Sequence, residues 1–357
     1  MSDGPAGEGA ASAVTLQDVA RAAGVSSATA SRALNGREGV RPAVRATVVD
    51  VARSLGYRAN RAARNLASGR SSIIGLVLPS RHLSVDPYGA SLIQSVSRAA
   101  DELDQGLMLV LGSAQPGVTV QHILRDGIID GVVVSSVALG EPWVDELIES
   151  PIPSVVVGSR PERPDVYGVD VENRGPAAAA VSHLVEGGRR RIATVTGPLH
   201  RRDAADRLAG YRDALAAHDI EVDESLIVAG DFNRRSGLAA GGTLFGGDRP
   251  PDAVFAANDE MALGVVAAAA RHGLTIPGDV AVVGFDGTAT PEDELLVRFS
   301  TAAGDDAEDD PWLTSVHQPF SQLGRTAVDT LLELLAGKPR ERVQTVEPTL
   351  VVGRSSR

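Results

Sequence analysis

The chain has 357 residues, too many for one ordinary core, and suits a small domain plus one or two domains of about 100–150 residues each. With 43% hydrophobic and 22% charged residues it reads as a soluble globular protein, and having no cysteine it excludes disulfides, thiolate chemistry and cysteine-bound zinc. The net charge of −12 is unevenly spread: residues 15–70 carry ten Arg against Asp18, Glu38 and Asp50, a net +7, which leaves −17 on residues 71–357. A basic module on an acidic body fits phosphate binding by one end only.

Residues 1–13 are polar and rich in Gly and Ala, so a disordered tail is expected there, with no apolar stretch of the kind a signal peptide or anchor needs. No run of about 18 apolar residues occurs, which points to a cytoplasmic protein with no membrane partner. Thr15 can cap a first helix whose Leu16, Val19, Ala20 and Ala23 follow the 3.6-residue period, and Gly24 supplies its stop. Ser26 caps a second helix with Thr29 at the capping-box position, and Ala30, Ala33 and Leu34 face inward. Ser27, Ala28 and Arg32 then share an outward face near the helix N-terminus, the face that enters a major groove in a helix-turn-helix. An Arg there can pair with guanine O6 and N7, discriminating against the wrong base by about 1–3 kcal/mol. The bland alternative is a three-helix domain kept soluble by its Arg residues; the charge asymmetry argues against it.

Beyond Ser71 strand and helix alternate. Buried strands are predicted at 73–78, 107–111, 131–134 and 154–157, with helices about Leu92 to Leu103, Val120 to Leu124 and Val144 to Ile148. A second series has helices at 176–185, 204–217, 236–244 and 261–271, and strands at 191–195, 226–228, 253–256 and 280–283. The fold class is therefore α/β: an all-α helix-turn-helix headpiece followed by two doubly wound lobes with parallel sheets, the cleft between them being the natural ligand site.

The stretch Thr15 to Asn35 resembles the DNA-binding headpiece of the lactose-repressor (LacI) family of bacterial transcription regulators. The resemblance runs on through Val40-Arg41-Pro42, Thr47 and Leu55-Gly56-Tyr57 into Asn60 to Arg70, which looks like that family's hinge helix. It covers the body as well, at Gly187 to Ala193, Arg207 to Tyr211, Phe255 to Gly264, Ile276 to Asp286 and Ser315 to Pro319. It implies a body like the periplasmic binding proteins, in which the chain crosses between lobes several times. The domains expected are a tail at 1–13, a headpiece at 14–59, a hinge at 60–70 and an effector-binding and dimerisation body at 71–357. Lobe 1 would take about 71–171 and 317–343, and lobe 2 about 172–315 and 344–357.

The resemblance further implies DNA contacts at Thr15, Leu16, Gln17, Ser26, Ser27, Ala28, Thr29, Ser31, Arg32 and Asn35, and at Asn60, Ala63 and Leu66 in the hinge, with Leu66 wedged between base pairs. It places effector contacts at Tyr88, Arg207, Phe232, Asn258, Asp286 and Gln318. For Arg207 and Asp286 the other reading is a structural ion pair tying strand to helix. The partners implied are a near-palindromic double-stranded operator, a small effector that is a sugar or sugar-like metabolite, and a second copy of the chain or a higher oligomer. The function implied is a transcriptional regulator, a repressor, with no cofactor and no metal. An α/β enzyme is disfavoured, because no P-loop, Gly-x-Ser-x-Gly or dinucleotide motif is present and the seven His lack metal-ligand spacing. An exported solute-binding protein does not account for the basic headpiece.

Two departures from the family pattern stand out. Its usual Asn-Pro-Phe-Phe run is Asp86-Pro87-Tyr88-Gly89 here, and aromatics make up only 3% of the chain. Between Asp286 and Gln318 the chain is longer by an acidic run from Arg298 to Asp310, expected as a loop beside the cleft, a flap with Trp312 and Phe299 as its apolar contacts or a solvated excursion.

Overall fold

A computed structural model describes residues 14–34, 36, 38–57, 70–79, 87–112, 127–135, 149–158, 166–290, 293, 311–338 and 341–357. The chain divides into two units, Met1–Arg70 and Ser71–Arg357. The helices expected near Val120 and Val144, the hinge apart from Arg70, and the acidic run with Phe299 lie outside the described residues.

In the first unit α1 (Leu16–Ala22), α2 (Ser27–Leu34) and α3 (Pro42–Ser54) enclose a small core of Val19, Ala20, Ala30, Ala33, Val48 and Ala52. Both N-terminal caps form where the sequence predicts them. Thr15 and Asp18 make a reciprocal capping box, Asp18 N–H to Thr15 Oγ1 and Thr15 N–H to Asp18 Oδ2, and Ser26 Oγ accepts the Thr29 N–H at 3.1 Å. Gly24 turns between α1 and α2 at φ +66, a conformation only glycine adopts without strain. Arg45 of α3 donates to the Ala33 carbonyl at 3.1 Å, tying the last turn of α2 to the third helix.

The second unit holds two six-stranded sheets. The first contains β1 (Ile73–Pro79), β2 (Gly106–Gly112), β3 (Gly131–Ser135), β4 (Ser154–Val157), β5 (Tyr167–Val171) and β11 (Val343–Val346), in the order β11-β5-β4-β3-β1-β2 with every neighbour parallel. Its central strands are apolar on both faces for a physical reason. Val133 points to the core beneath α4 (Pro87–Glu102) and α9 (Phe320–Leu335), while Val132 and Val134 join Val77, Val110 and Val156 on the opposite face.

The second sheet holds β6 (Ile192–Thr196), β7 (Ile227–Ala229), β8 (Ala253–Ala256), β9 (Ala281–Asp286), β10 (Thr314–His317) and β12 (Thr349–Val351), in the order β12-β10-β9-β8-β6-β7. On one face α5 (Arg174–Glu186) and α6 (Arg202–Ala217) cover Phe255, Val283 and Phe285. On the other α7 (Arg234–Phe245) and α8 (Asp259–Arg271) cover Val254, Ala256 and Val282. The parallel pattern has one exception, since β12 runs antiparallel to β10.

The chain passes from the first sheet to the second after β5, returns after β10 and crosses again before β12. This last crossing follows Val346, which still pairs with Val171, rather than residue 343. Trp312 corrects the flap expectation: it is 1% exposed and packed in the core under α7 and α8, so it is a fixed part of the second lobe.

Helices α7 and α8 touch backbone to backbone. A Cβ at Gly237 would collide with Met261 main-chain atoms, and one at Gly264 with the Arg234 carbonyl and the Leu238 amide. Gly264→Ala must push the helices apart and should destabilise the body by about 1–3 kcal/mol in urea unfolding. Gly242→Ala, with nothing within 4 Å of its added Cβ, should instead be neutral or stabilise by up to about 1 kcal/mol. Equal effects of the two substitutions would contradict this packing.

Candidate functional site: a buried charge cluster and a recognition helix

In an open parallel sheet, ligands gather where the strands end, because the loops there leave a crevice unfilled by helices. Four strand ends of the second sheet converge in this way. Asp286 closes β9, Gln318 follows β10, Ala257 and Asn258 follow β8, and the loop after β6 leads through Arg201 into α6, whose first turn holds Asp203 and second turn Arg207.

Arg207 and Asp286 are only 4% and 5% exposed, so each charge must find partners inside the protein. Arg207 Nη1 lies 3.3 Å from Asp286 Oδ1 and donates to the Ala257 carbonyl, while its Nε donates to Asn173 Oδ1 at 2.9 Å. The guanidinium carbon also stands over the Phe285 ring, 3.7 Å from its centroid. Gln318 Nε2 donates to the same Asp286 oxygen at 2.6 Å, leaving Gln318 Oε1 buried with no partner among the described residues. Asp286 itself has φ +108, a region that non-glycine residues rarely enter. The ion pair expected as one reading of Arg207 and Asp286 is thus present, at a strand end of the kind where open sheets bind ligands.

A second pair, which sequence reasoning missed, stands beside the first. Arg201 and Asp203 form a bidentate bridge, Nη2 to Oδ2 at 2.7 Å and Nε to Oδ1 at 3.1 Å, with side chains 12% and 14% exposed. Burial raises the Asp203 carboxyl, but the Arg201 charge and its hydrogen bonds outweigh this and hold it below the ordinary carboxylate range. The signal available was an Arg and an Asp in the two residues on either side of Arg202, one to two turns ahead of Arg207. Nothing in their spacing says that both are buried.

Of the other expected effector residues, Tyr88 from α4 reaches the cluster. Burial pushes its hydroxyl far above the ordinary value, and the charges of Asp286, Asp203, Arg201 and Arg207 all act on it. Its ring stands edge-on to Phe320 at 5.3 Å. Phe232 lies over Gly197, where any Cβ would collide with the ring, and the Arg201 guanidinium stands 5.1 Å from the ring centroid. Asn258 is used by the fold: its Oδ1 caps α8 by accepting the Met261 N–H, and its Nδ2 donates to the Phe232 carbonyl at 3.0 Å. It reaches the site through Phe232.

In the headpiece Gln17, Ser27, Ala28 and Arg32 are exposed, and Ser31 is half-buried. Thr15, Ser26 and Thr29 are engaged in the caps described above, and Leu16 packs on the small core. Asn35, Asn60, Ala63 and Leu66 lie outside the described residues.

The Arg201–Asp203 pair makes a testable demand. Asp203→Asn strands a buried guanidinium and should destabilise the body by about 3 kcal/mol near neutral pH. A carboxyl depressed in the folded state contributes stability above its unfolded value near 3.8 and loses it as pH falls through the lower folded value. The gap between variant and wild type in denaturant unfolding should therefore close below about pH 3.8. A gap that stays constant down to pH 2.5 would contradict the pairing.

Comparison with known proteins agrees with this architecture. Residues 15–60 match the model of bacterial regulatory proteins of the lacI family, and residues 181–356 match a periplasmic binding protein-like domain. The chain is 36% identical over 352 residues to the HTH-type transcriptional regulator CelR of Thermobifida fusca, covering 96% of this chain and 98% of that one. It is 34% identical to catabolite control protein A of Priestia megaterium, covering 90% and 92%, and 32% identical to the HTH-type transcriptional repressor PurR of Escherichia coli O1:K1 / APEC, covering 96% of each. A CelR–cellobiose complex superposes with a TM-score of 0.68 at 33% identity, covering 96% of this chain and 99% of that one. The lac repressor dimer bound to operator and the anti-inducer ONPF superposes at 0.72 and 28% identity, with the same coverage. With a lacI-type headpiece, a two-sheet binding body and near full-length kinship to such regulators, the chain belongs to the lacI family of bacterial regulatory proteins and is a DNA-binding transcriptional regulator, not an enzyme.

Proposed function

We propose that this regulator is a homodimeric repressor of a near-palindromic operator, and that a neutral, hydroxyl-rich effector of the sugar class controls it from the cleft between the lobes. The matched charge of the cleft carries the effector reading. Arg201 stands against Asp203 and Arg207 against Asp286, so an ionic ligand meets no unbalanced charge there among the described residues. The buried Gln318 Oε1, with no partner among the described residues, can accept a hydrogen bond from a donor such as a ligand hydroxyl. A hydroxyl-rich ligand satisfies it and also accepts from the guanidinium groups. The relative CelR forms a complex with cellobiose, which makes disaccharides the first ligands to try.

On the DNA side Arg32 supplies base readout from the exposed face of α2, and the other headpiece Arg residues supply phosphate contacts. Two-fold pairing of the chain sets two half-sites about one helical turn apart, and the lac repressor dimer on its operator provides the parallel.

Arg32→Ala should lose preference for the operator over random DNA while keeping weak, salt-dependent binding. A competition gel showing undiminished preference would refute the role given to α2. For the effector, cellobiose, other disaccharides and purines are compared by thermal shift, since a ligand at about 100 times its Kd stabilises by about 2.7 kcal/mol. A shift with a disaccharide that falls at least tenfold in affinity in Asp286→Asn supports the proposal; a shift with purines alone overturns it.

A further inference from the structure

Asp259 stands in the first turn of α8 and is 1% exposed. Its Oδ1 accepts the Ser315 hydroxyl of β10 at 2.5 Å. Its Oδ2 accepts the backbone N–H of Thr288 at 2.6 Å and of Ala289 at 3.3 Å. Burial pushes the carboxyl up to about 6, while these donors and the Gly287 amide pull it down. The Gly287 N–H also donates to Ser315 Oγ at 3.3 Å. Gly284 of β9 makes room for the arrangement, because a Cβ there would collide with Asp259 Oδ1.

The segment so gathered begins immediately after Asp286. The chain is left-handed at two consecutive positions, φ +108 at Asp286 and +71 at Gly287. Gly287 is closed in by the His317 ring, which a Cβ would strike. A non-glycine residue in such a conformation costs about 1–3 kcal/mol and persists only where its surroundings over-determine it. Before the turn the Asp286 carbonyl accepts the Gln318 N–H at 3.0 Å; after it the Thr288 and Ala289 amides are bound to the Asp259 carboxylate and the Gly287 amide to Ser315 Oγ.

We propose that Asp259 is a positioning residue of the effector site: by gathering the Thr288 and Ala289 amides and the Ser315 hydroxyl it holds the chain left-handed at Asp286, and so aims the Asp286 carboxylate at Arg207 and Gln318. Released from that hold, Asp286 relaxes to negative φ and its side chain swings away from the guanidinium. The consequence for ligand affinity rests on the proposed role of Asp286, whereas the positioning itself is tested without ligand.

The test uses full-length protein at pH 8, where the Asp259 carboxyl is ionised. The Arg207–Asp286 coupling is measured by double-mutant cycles of unfolding (Arg207→Met, Asp286→Asn) in the wild-type, Asp259→Ala and Asp259→Asn backgrounds. Asn can still accept from the Thr288 and Ala289 amides with its oxygen and donate to Ser315 Oγ with its nitrogen, so it is the conservative rescue. The coupling should fall by more than half in Asp259→Ala and be largely retained in Asp259→Asn. Should Asp259→Ala not fold, Ser315→Ala serves in its place, with amide exchange at 287–289 at least tenfold faster than in wild type and a reduced coupling. Coupling and amide exchange at wild-type levels in whichever of the two variants folds, or equal loss in Asp259→Ala and Asp259→Asn, overturns the proposal.

Discussion

The buried guanidinium of Arg207 sets the geometry of the second lobe at the ends of its strands. An ion removed from water must have its donors matched, and Arg207 meets this by reaching three separate parts of the chain: the end of β9, with the Asp286 carboxylate and the face of Phe285, the Ala257 carbonyl after β8, and Asn173 at the crossing from the first sheet. Such a pair need not add much stability over an apolar equivalent, but loss of either member leaves the other charged and unpaired. These three parts are thereby held in register with one another.

The same requirement explains why the site lies where it does. The first residues beyond parallel strands have no ladder partners and are available for other bonds, and at this end of the second sheet they bond to one another. Asn258 caps α8 and holds the Phe232 carbonyl, Gln318 bonds Asp286, and Arg201 bonds Asp203 while facing Phe232. Glycines at 197, 284 and 287 stand where a side chain would strike Phe232, Asp259 and His317. The polar network and the glycine clearances are complementary features of one closely fitted loop cluster, to which α4 of the other lobe adds Tyr88.

The headpiece works on different physics. Its core is built mainly from Ala and Val, so much of its definition comes from its caps and turns: the Thr15–Asp18 box, the Ser26 cap and the left-handed Gly24. Local bonds of this kind fix the relation between α1 and α2 without a large apolar core, and they leave Ser27, Ala28 and Arg32 exposed on one face. Arg45 adds a longer-range tie to the end of α2.

Features that depend on neighbours in the sequence were therefore legible in it. The 3.6-residue period marks α1, the alternation of strand and helix places α4 to α8, the apolar runs mark the strands from β1 to β9 other than β5, and Ser26 and Thr29 announce their cap. Short elements were not legible: β5, β11 and β12 run only three to five residues with no continuous apolar run, and only pairing with distant strands makes them strands. Trp312, in a stretch that reads as loop, is core because α7 and α8 happen to cover it. Arg207, Asp286 and Gln318 could be named from their motif positions, but their mutual bonding, the hidden Arg201–Asp203 pair, the capping duty of Asn258, the left-handed turn at Asp286 and the hold of Asp259 on the amides beyond it belong to the tertiary structure alone. A charge is read from sequence as a charge; whether it is buried, and against what, is decided by the folded chain, which brings Asn173 and Ala257, 34 and 50 positions away, within hydrogen-bonding distance of Arg207.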